Sequence, residues 1–298
     1  MTTPPLLQKG DTIAIISTAR KISEEELTPL TDLIKSWGLN FRLGKSIGAI
    51  DNQYAGNDDL RMADLQRQLD DPTIRAIWCA KGGYGTVRLI DHLDFSVFKR
   101  HPKWIIGYSD VTVLHSHIHN FGIATLHANM AIDINTKTSE TRATIRKALF
   151  EGTYSISYAS EGISNRTGTA KEQLVGGNLS LLAALTGSTS EINTQGKILF
   201  IEDLDEMLYH IDRMMISLRR NGLLKDLSGL IVGGMNDMRD NTVPFGKTPA
   251  EIISEVVSDY DFPVCYGFPA GHIDDNRALI LGRECTLEIG TNSVTLQF

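Results

Sequence analysis

The chain has 298 residues, 42% of them hydrophobic, and carries a formal net charge of -7 with a pI near 5.6. That length suits one large or two medium domains, and the apolar fraction is ample for packed cores. An acidic surface without runs of Lys and Arg between aromatics repels phosphate backbones, which argues against a nucleic-acid partner. No apolar stretch is long enough to cross a bilayer, and Met1-Thr-Thr-Pro-Pro-Leu-Leu lacks the basic-then-apolar pattern of a secretory signal. Cys79, Cys265 and Cys285 are few and odd in number, as expected of small apolar fillers in a reducing cytoplasm. No CxxC pair or HExxH motif occurs, and His115-Ser-His-Ile-His119 reads as partly solvated helix surface rather than a zinc site.

Asp11 to Ser17 reads as a buried strand, followed by Thr18-Ala-Arg-Lys21 and a helix from about Ser23 to Trp37. Ser23 and Glu26 have capping-box spacing, and Leu27, Leu30, Leu33 and Ile34 form one apolar face. Gly38 stops the helix, Leu39 to Leu43 reads as a second strand, and residues 44–58 form a loop. A helix over Asp58 to Leu69, ended by Asp71-Pro72, leads to a strand over Ile74 to Ala80. This alternation implies βαβ units in a largely parallel sheet, where ligands gather beyond the strand C-termini.

Lys81-Gly-Gly-Tyr-Gly-Thr86 lies at such an end, before a helix predicted to begin at Thr86. Its glycines let backbone amides converge on an anion or oxyanion; a tight turn needing positive φ is the plainer reading. A nucleotide phosphate is a weaker option, since neither GxGxxG nor GxxxxGK[ST] is present.

Trp104-Ile-Ile106 is a short buried strand, Gly107 permits a bend, and a helix follows from Val111. Ser109 therefore falls at a strand-to-helix turn, the place of a nucleophile elbow. Gly107-Tyr-Ser-Asp-Val111 is not GxSxG, however, and Ser109 or Asp110 would serve equally as a helix N-cap.

Gly122 to Thr125 reads as a small strand, Ser139 to Phe150 as a helix, Tyr154 to Tyr158 as an alternating strand and Gly162 to Gly168 as a loop. The density of buried strands drops between about 150 and 172, and the domains are divided at 1–160 and 161–298. Beyond it, the Gly176-Gly177 pair precedes an apolar helix and reads as another set of amides at a helix start.

Four acids crowd the exit of the strand Ile198 to Ile201. Asp205 and Glu206 suit the N-terminus of a helix over Met207 to Arg219, which leaves Glu202 least explained by capping. Leu227 to Met235 reads as a strand and loop, Thr248 to Val257 as a helix, and Val264 onward as a strand whose exit carries Gly271-His272. His272 fits a solvated loop or a site histidine. The tail, Arg277 to Leu281, Cys285 to Ile289 and Ser293 to Phe298, alternates as antiparallel strands do.

Three strand ends thus offer Ser109, Glu202 and His272. A serine hydroxyl needs a base, histidine suits that task, and a carboxylate on its second ring nitrogen fixes the tautomer. The amides of Gly83 and Asp110 then face the developing oxyanion.

Taken together, Lys81-Gly-Gly-Tyr-Gly85, Gly107-Tyr-Ser-Asp110, Gly176-Gly-Asn-Leu-Ser180, Ile201-Glu-Asp203 with Tyr209-His-Ile-Asp-Arg213, and Gly271-His272 resemble the LD-carboxypeptidase family of serine peptidases. That family includes murein tetrapeptide carboxypeptidases and microcin C self-immunity peptidases. The resemblance implies a nucleophile at Ser109, a triad glutamate at Glu202, a base at His272, and oxyanion amides at Gly82-Gly83 and Asp110. It implies an α/β fold with a flavodoxin-like parallel sheet flanked by helices on both faces, a smaller β-rich C-terminal domain, and a cleft between them. It further implies a cytoplasmic enzyme, often a homodimer, with no metal or organic cofactor.

The implied reaction releases the terminal D-alanine from a muropeptide, L-Ala-γ-D-Glu-diamino acid-D-Ala. Many relatives carry His-Gly-Pro where this chain has His127-Ala-Asn-Met130, which bears on pocket shape. Arg88, Arg239 and Arg277 are candidates for the substrate carboxylate, each also explicable as a surface ion pair. The alternatives are an immunity-type peptidase cleaving aminoacyl-nucleotide amides and a non-catalytic muropeptide-binding protein. The lack of Trp, Tyr or Phe over 160–172 disfavours the former.

Overall fold

The computed structural model describes residues 1–160 and 164–298, so the loop expected at Gly162 lies in part outside the described residues. In the first half the elements are β1 (Thr12–Ile16), α1 (Thr28–Ser36), β2 (Asn40–Leu43), α2 (Asp58–Asp70), β3 (Ile74–Cys79), α3 (Ser96–Arg100), β4 (Trp104–Gly107), α4 (Thr112–His119), β5 (Thr125–His127), α5 (Ser139–Phe150) and β6 (Ser155–Ala159). The remainder comprises β7 (Gly168–Asn178), α6 (Leu179–Leu185), β8 (Ile198–Leu204), α7 (Leu208–Arg220), β9 (Gly229–Asn236), α8 (Pro249–Val256), β10 (Val264–Cys265), β11 (Leu279–Leu281), β12 (Glu284–Ile289) and β13 (Ser293–Gln297).

Ser23 and Glu26 exchange side-chain-to-backbone bonds as their spacing predicts, but they lead into a 3-10 turn, Glu25–Leu27, and α1 begins only at Thr28 without a side-chain cap. Elsewhere Asn57 Oδ1 accepts from the Leu60 amide, and Thr248 and Glu251 complete a capping box. Asp205 and Glu206 do not cap α7: Asp205 pairs with Arg239, and Glu206 lies 2.7 Å from His210 one turn on.

The first sheet runs β2-β1-β3-β4-β5 in parallel, the flavodoxin strand order, and β11 closes its far edge antiparallel to β5. The second sheet is parallel over β10-β9-β8-β7 and antiparallel over β7-β12-β13-β6. Strand β6 thus joins the second sheet, while β11, near the C-terminus, joins the first. One apolar core spans both sheets, including Ile13, Trp78 and Leu126 of the first and Phe200, Ile231 and Leu287 of the second.

Three local expectations need correction. The stretch from Thr86 forms two short 3-10 turns, Thr86–Arg88 and Ile90–His92, instead of an α-helix: the Arg88, Leu89 and His92 amides donate to carbonyls three residues back at 3.0–3.1 Å, and the Asp110 carboxylate binds the Thr86 amide at 2.9 Å as a cap would. The Gly176-Gly177 pair lies inside β7 and forms no amide nest. A Cβ on Gly176 would come 1.9 Å from the Phe200 carbonyl oxygen, and one on Gly177 2.5 Å from Thr112 Oγ1, so both glycines serve close backbone approach. Finally, His115 and His119 are buried, since β5, β7 and α6 enclose α4. Their Nε2 atoms bond Gly107 O at 2.9 Å and Thr125 Oγ1 at 3.0 Å, and burial pushes the His115 imidazole down to about 4. The cysteines are buried and free, as expected of apolar fillers.

Candidate active site

Strand register brings the distant parts of the site together. Gly107 at the end of β4 pairs with His127 of β5, and His127 pairs with Leu279 of β11. The turn carrying His272 leads directly into β11, so its return to the first sheet carries the imidazole toward the exit of β4. There the Tyr108 ring lies 4.7 Å from the His272 ring, centroid to centroid. Ser109, next in the chain, is part-exposed and has φ +59, an uncommon value for a non-glycine residue. Such conformations cost of order 1–3 kcal/mol and cluster at functional sites.

His115, one turn into α4, donates to the Gly107 carbonyl and braces the bend from beneath. Asp110 does not cap its own helix. Its Oδ2 accepts from the Thr86 amide at 2.9 Å and the Thr86 hydroxyl at 2.6 Å, tying the elbow to the glycine turn after β3. Burial raises the Asp110 pKa against these bonds.

A Cβ on Gly82 would lie 3.4 Å from Ser109 Cβ, which puts the glycine turn beside the hydroxyl-bearing carbon. The amides of Gly83 and Asp110 have no hydrogen-bond acceptor among the described residues. They are therefore free to receive a developing oxyanion.

Glu202, within β8, is fully buried, and its Oε2 lies 2.6 Å from His272 Nδ1. The His272 side chain is 13% exposed, so the imidazole has a protected side and an open side. Nδ1 on the carboxylate leaves Nε2 as the atom available to a nucleophile. Ser109 Oγ and His272 Nε2 make no hydrogen bond to each other in this structure; such contacts are often long before substrate binds.

Gly271 has φ +108, and a Cβ there would come 2.8 Å from both Glu202 Cβ and Oε2, so the turn requires glycine to bring His272 onto the acid. The Gly271 amide donates to Asn276 Oδ1 at 2.8 Å, which fixes the turn.

Several contributors escaped the sequence reading. Asn276 and the Tyr108 ring hold the histidine, and His127 sits fully buried against both Tyr108 and Phe200. A polar residue four positions beyond His272 was the available signal for Asn276. Asp203 accepts from Asn178 Nδ2 and the Ser180 and Leu204 amides, each at 2.9 Å, joining β8 to the start of α6. Burial, and then neighbouring Glu202, push Asp203 up to about 7.

Ala128 is buried without a positive φ and its amide donates to Gly107 O at 3.1 Å, so the backbone at His127-Ala128 is unstrained. Arg88, Arg239 and Arg277 are all engaged, with Asp58, Asp205 and Asp275 respectively.

Cavities on the C-terminal half include one of about 310 Å³ beside Glu191, Asn221 and Asp226, apart from the site residues. Another of about 390 Å³ includes Gly234, Phe268 and Ile273, the residue after His272. A larger one of about 730 Å³ lies along α8 and includes none of Ser109, Glu202 or His272, so the chemistry is assigned from the side-chain geometry, not from cavity size. No helix among the described residues is long and apolar enough to cross a membrane.

Comparison with known proteins agrees with this architecture. Residues 13–128 match the LD-carboxypeptidase N-terminal domain and residues 171–287 the LD-carboxypeptidase C-terminal domain. A protein of Bacillus subtilis (strain 168), named "Probable murein peptide carboxypeptidase", is 36% identical over 306 residues, covering 99% of this chain and 94% of that one. The crystal structure of muramoyltetrapeptide carboxypeptidase from Oxalobacter formigenes superposes with a TM-score of 0.87 at 25% identity, covering 96% of this chain and 98% of that one. MccF, in complex with glutamyl sulfamoyl guanosine, shares the fold with a TM-score of 0.87 at 22% identity, over 99% and 98% of the two chains. Two family domains, a relative matched along nearly its whole length and the shared fold lead to one conclusion: this chain belongs to the LD-carboxypeptidase family of peptidases.

Proposed function

We propose that this chain is a serine-type L,D-carboxypeptidase that releases the C-terminal D-alanine from murein tetrapeptides. The observation that carries the reading is the buried Glu202–His272 pair, 2.6 Å apart, beside an elbow that holds Ser109 at φ +59. The substrate class is supported by the murein peptide carboxypeptidase names of its relatives.

In this mechanism Ser109 Oγ attacks the carbonyl carbon of the scissile amide while His272 Nε2 takes its proton. Glu202 steadies the imidazolium through Nδ1, and the oxyanion is received by the Gly83 and Asp110 amides, each well-placed donor lowering the barrier by about 3 kcal/mol. His272 then protonates the departing amine of D-alanine. Water, deprotonated by the same histidine, attacks the acyl-serine ester and frees both the tripeptide and Ser109. The division at 1–160 and 161–298 puts the nucleophile in one domain and its base and acid in the other. The proposal keeps the cytoplasmic, homodimeric setting that the resemblance implies.

The rival is cleavage of an aminoacyl-nucleotide amide, consistent with the shared MccF fold. Incubating the purified protein with L-Ala-γ-D-Glu-meso-diaminopimelate-D-Ala and, separately, with an aminoacyl sulfamoyl adenosine decides between them. D-alanine release with at most slow nucleoside turnover is expected. Comparable or faster nucleoside turnover, or no D-alanine at all, would sink the proposal.

A further inference from the structure

An exopeptidase must recognise the free carboxylate that marks the chain end, and the three arginines offered by the sequence are occupied by acids of this chain. We propose that Arg20 binds the C-terminal carboxylate of the substrate, from its place across the Gly83 turn; this rests on the carboxypeptidase reading above.

Arg20 lies beyond the end of β1, and the glycine turn lies beyond the end of β3. These two strands flank the switch point of a flavodoxin-ordered sheet, where the chain leaves the first-wound side for the other and a crevice opens at the strand C-termini. The backbone of Arg20 is anchored: the Ser17 hydroxyl donates to its carbonyl at 2.6 Å, and its amide donates to Gly82 O at 3.4 Å. Beneath this loop the buried Arg61 donates to Thr18 O at 2.6 Å. The side chain, by contrast, is exposed and has no ion pair or hydrogen bond among the described residues.

The stem of Arg20 runs over Gly83. A Cβ at Gly83 would meet its Nε at 2.5 Å and its Cδ at 2.6 Å, while a Cβ at Gly82 would meet Ser109 Cβ at 3.4 Å. Two successive glycines therefore face, one the serine, the other the arginine. Combining these contacts with one Cα–Cα step bounds the separation of Ser109 Cβ from Arg20 Nε at roughly 13 Å.

The chemistry requires somewhat less. A hydroxyl about 3 Å from the scissile carbon, and a guanidinium about 3 Å from a carboxylate two bonds past the scissile nitrogen, stand roughly 8–10 Å apart. A rotamer change of an exposed, unpaired arginine spans that difference. Of the other arginines without an ion pair among the described residues, Arg142, Arg166 and Arg283 donate to backbone carbonyls, Arg213 lies over the Tyr209 ring on α7, and Arg67, Arg100 and Arg220 sit at the C-terminal ends of α2, α3 and α7. In a parallel α/β layer those ends lie at the sheet edge opposite the strand exits. The planar fork of arginine also matches a carboxylate bidentately, as lysine does not.

The test compares the tetrapeptide ending in D-alanine with the same peptide ending in D-alaninamide, in wild type, Arg20→Ala and Arg20→Lys. Wild type should prefer the acid. Arg20→Ala should lower kcat/KM for the acid by roughly 10- to 100-fold and bring the acid-to-amide ratio toward one, with Arg20→Lys between them.

A second arm titrates both peptides into Ser109→Ala protein, with and without Arg20→Ala, so that binding is read without turnover. An acid preference that survives Arg20→Ala in either arm overturns the assignment to Arg20 while leaving the carboxypeptidase reading standing. Acid-selective, Arg20-dependent binding without D-alanine release overturns the reaction and keeps the carboxylate site. Absence of both binding and release overturns both.

Discussion

Glu202→Gln isolates the electrostatic part of the proposed triad, because glutamine keeps the size and planarity of the side chain while removing its charge. The carboxylate is fully buried and 2.6 Å from His272 Nδ1, so in the transition state an imidazolium forms against a desolvated anion. At a charge separation of about 4 Å and an effective dielectric of about 20, that attraction amounts to about 4 kcal/mol, or roughly 10³-fold in rate. An amide can in addition present its NH₂ to Nδ1 and select the tautomer that cannot accept the serine proton; the two effects together predict a kcat/KM loss of roughly 10³- to 10⁴-fold. Stability should not fall in proportion, since the variant removes a buried charge whose Oε1 has no partner among the described residues. The assay is D-alanine release under single-substrate conditions, with circular dichroism and a urea titration on the same preparation. A folded Glu202→Gln protein retaining more than about a tenth of wild-type kcat/KM would refute the reasoning, because an orienting carboxylate cannot be worth so little.

Gly176→Ala should be far more damaging to the fold than a glycine inside a strand suggests, because its Cβ would lie 1.9 Å from a backbone oxygen at a φ of +136. A loss of at least about 3 kcal/mol in urea unfolding, or failure to accumulate as soluble protein, is expected; a loss under about 1 kcal/mol would show that β7 and β8 can separate freely. His115 is held neutral by burial, with its pKa pushed down to about 4 from an ordinary 6.5. The unfolded chain therefore binds more protons between those values, and wild-type stability should decline as pH falls from about 6.5 to about 4, by about 3 kcal/mol from this group. His115→Gln can still donate to Gly107 O and should show a shallower decline, part of which persists because His119 and His127 are pushed the same way. Identical pH dependence in the two proteins would contradict the assignment.

What could be read in the chain was local. Alternating apolar runs and helix periodicity placed β1 to β5 and the helices α1, α2, α4 and α5 but not the short α3, and a hydroxyl between Gly107 and a helix start stood out as an elbow. Four acids following the apolar run Ile198 to Ile201 singled out Glu202, the first of them, because helix capping suited Asp205 and Glu206 better; the strand in fact continues through Glu202 to Leu204. What stayed hidden depended on contacts between residues far apart in sequence. The Gly176-Gly177 pair looked like a helix start, although its reason for being glycine is the approach of β8 and Thr112. The histidines of α4 looked solvated because the helix pattern does not reveal that β7 and α6 cover it from the second half of the chain. At Thr86 the chain forms 3-10 turns where a helix was expected, and the Asp110 carboxylate that binds the Thr86 amide comes from a turn more than twenty residues on. For the arginines, the identity of each acidic partner is a property of the folded surface, and only the structure separates the paired ones from Arg20.

Every step proposed for D-alanine release requires Ser109 Oγ to become the ester oxygen of the acyl-enzyme. Release of D-alanine from L-Ala-γ-D-Glu-meso-diaminopimelate-D-Ala, measured for wild type and for folded Ser109→Ala at matched concentration, tests this directly. A fall of roughly 10⁴-fold or more, to the level of residual binding and oxyanion stabilisation, is predicted. Release by Ser109→Ala at a rate comparable to wild type would contradict it.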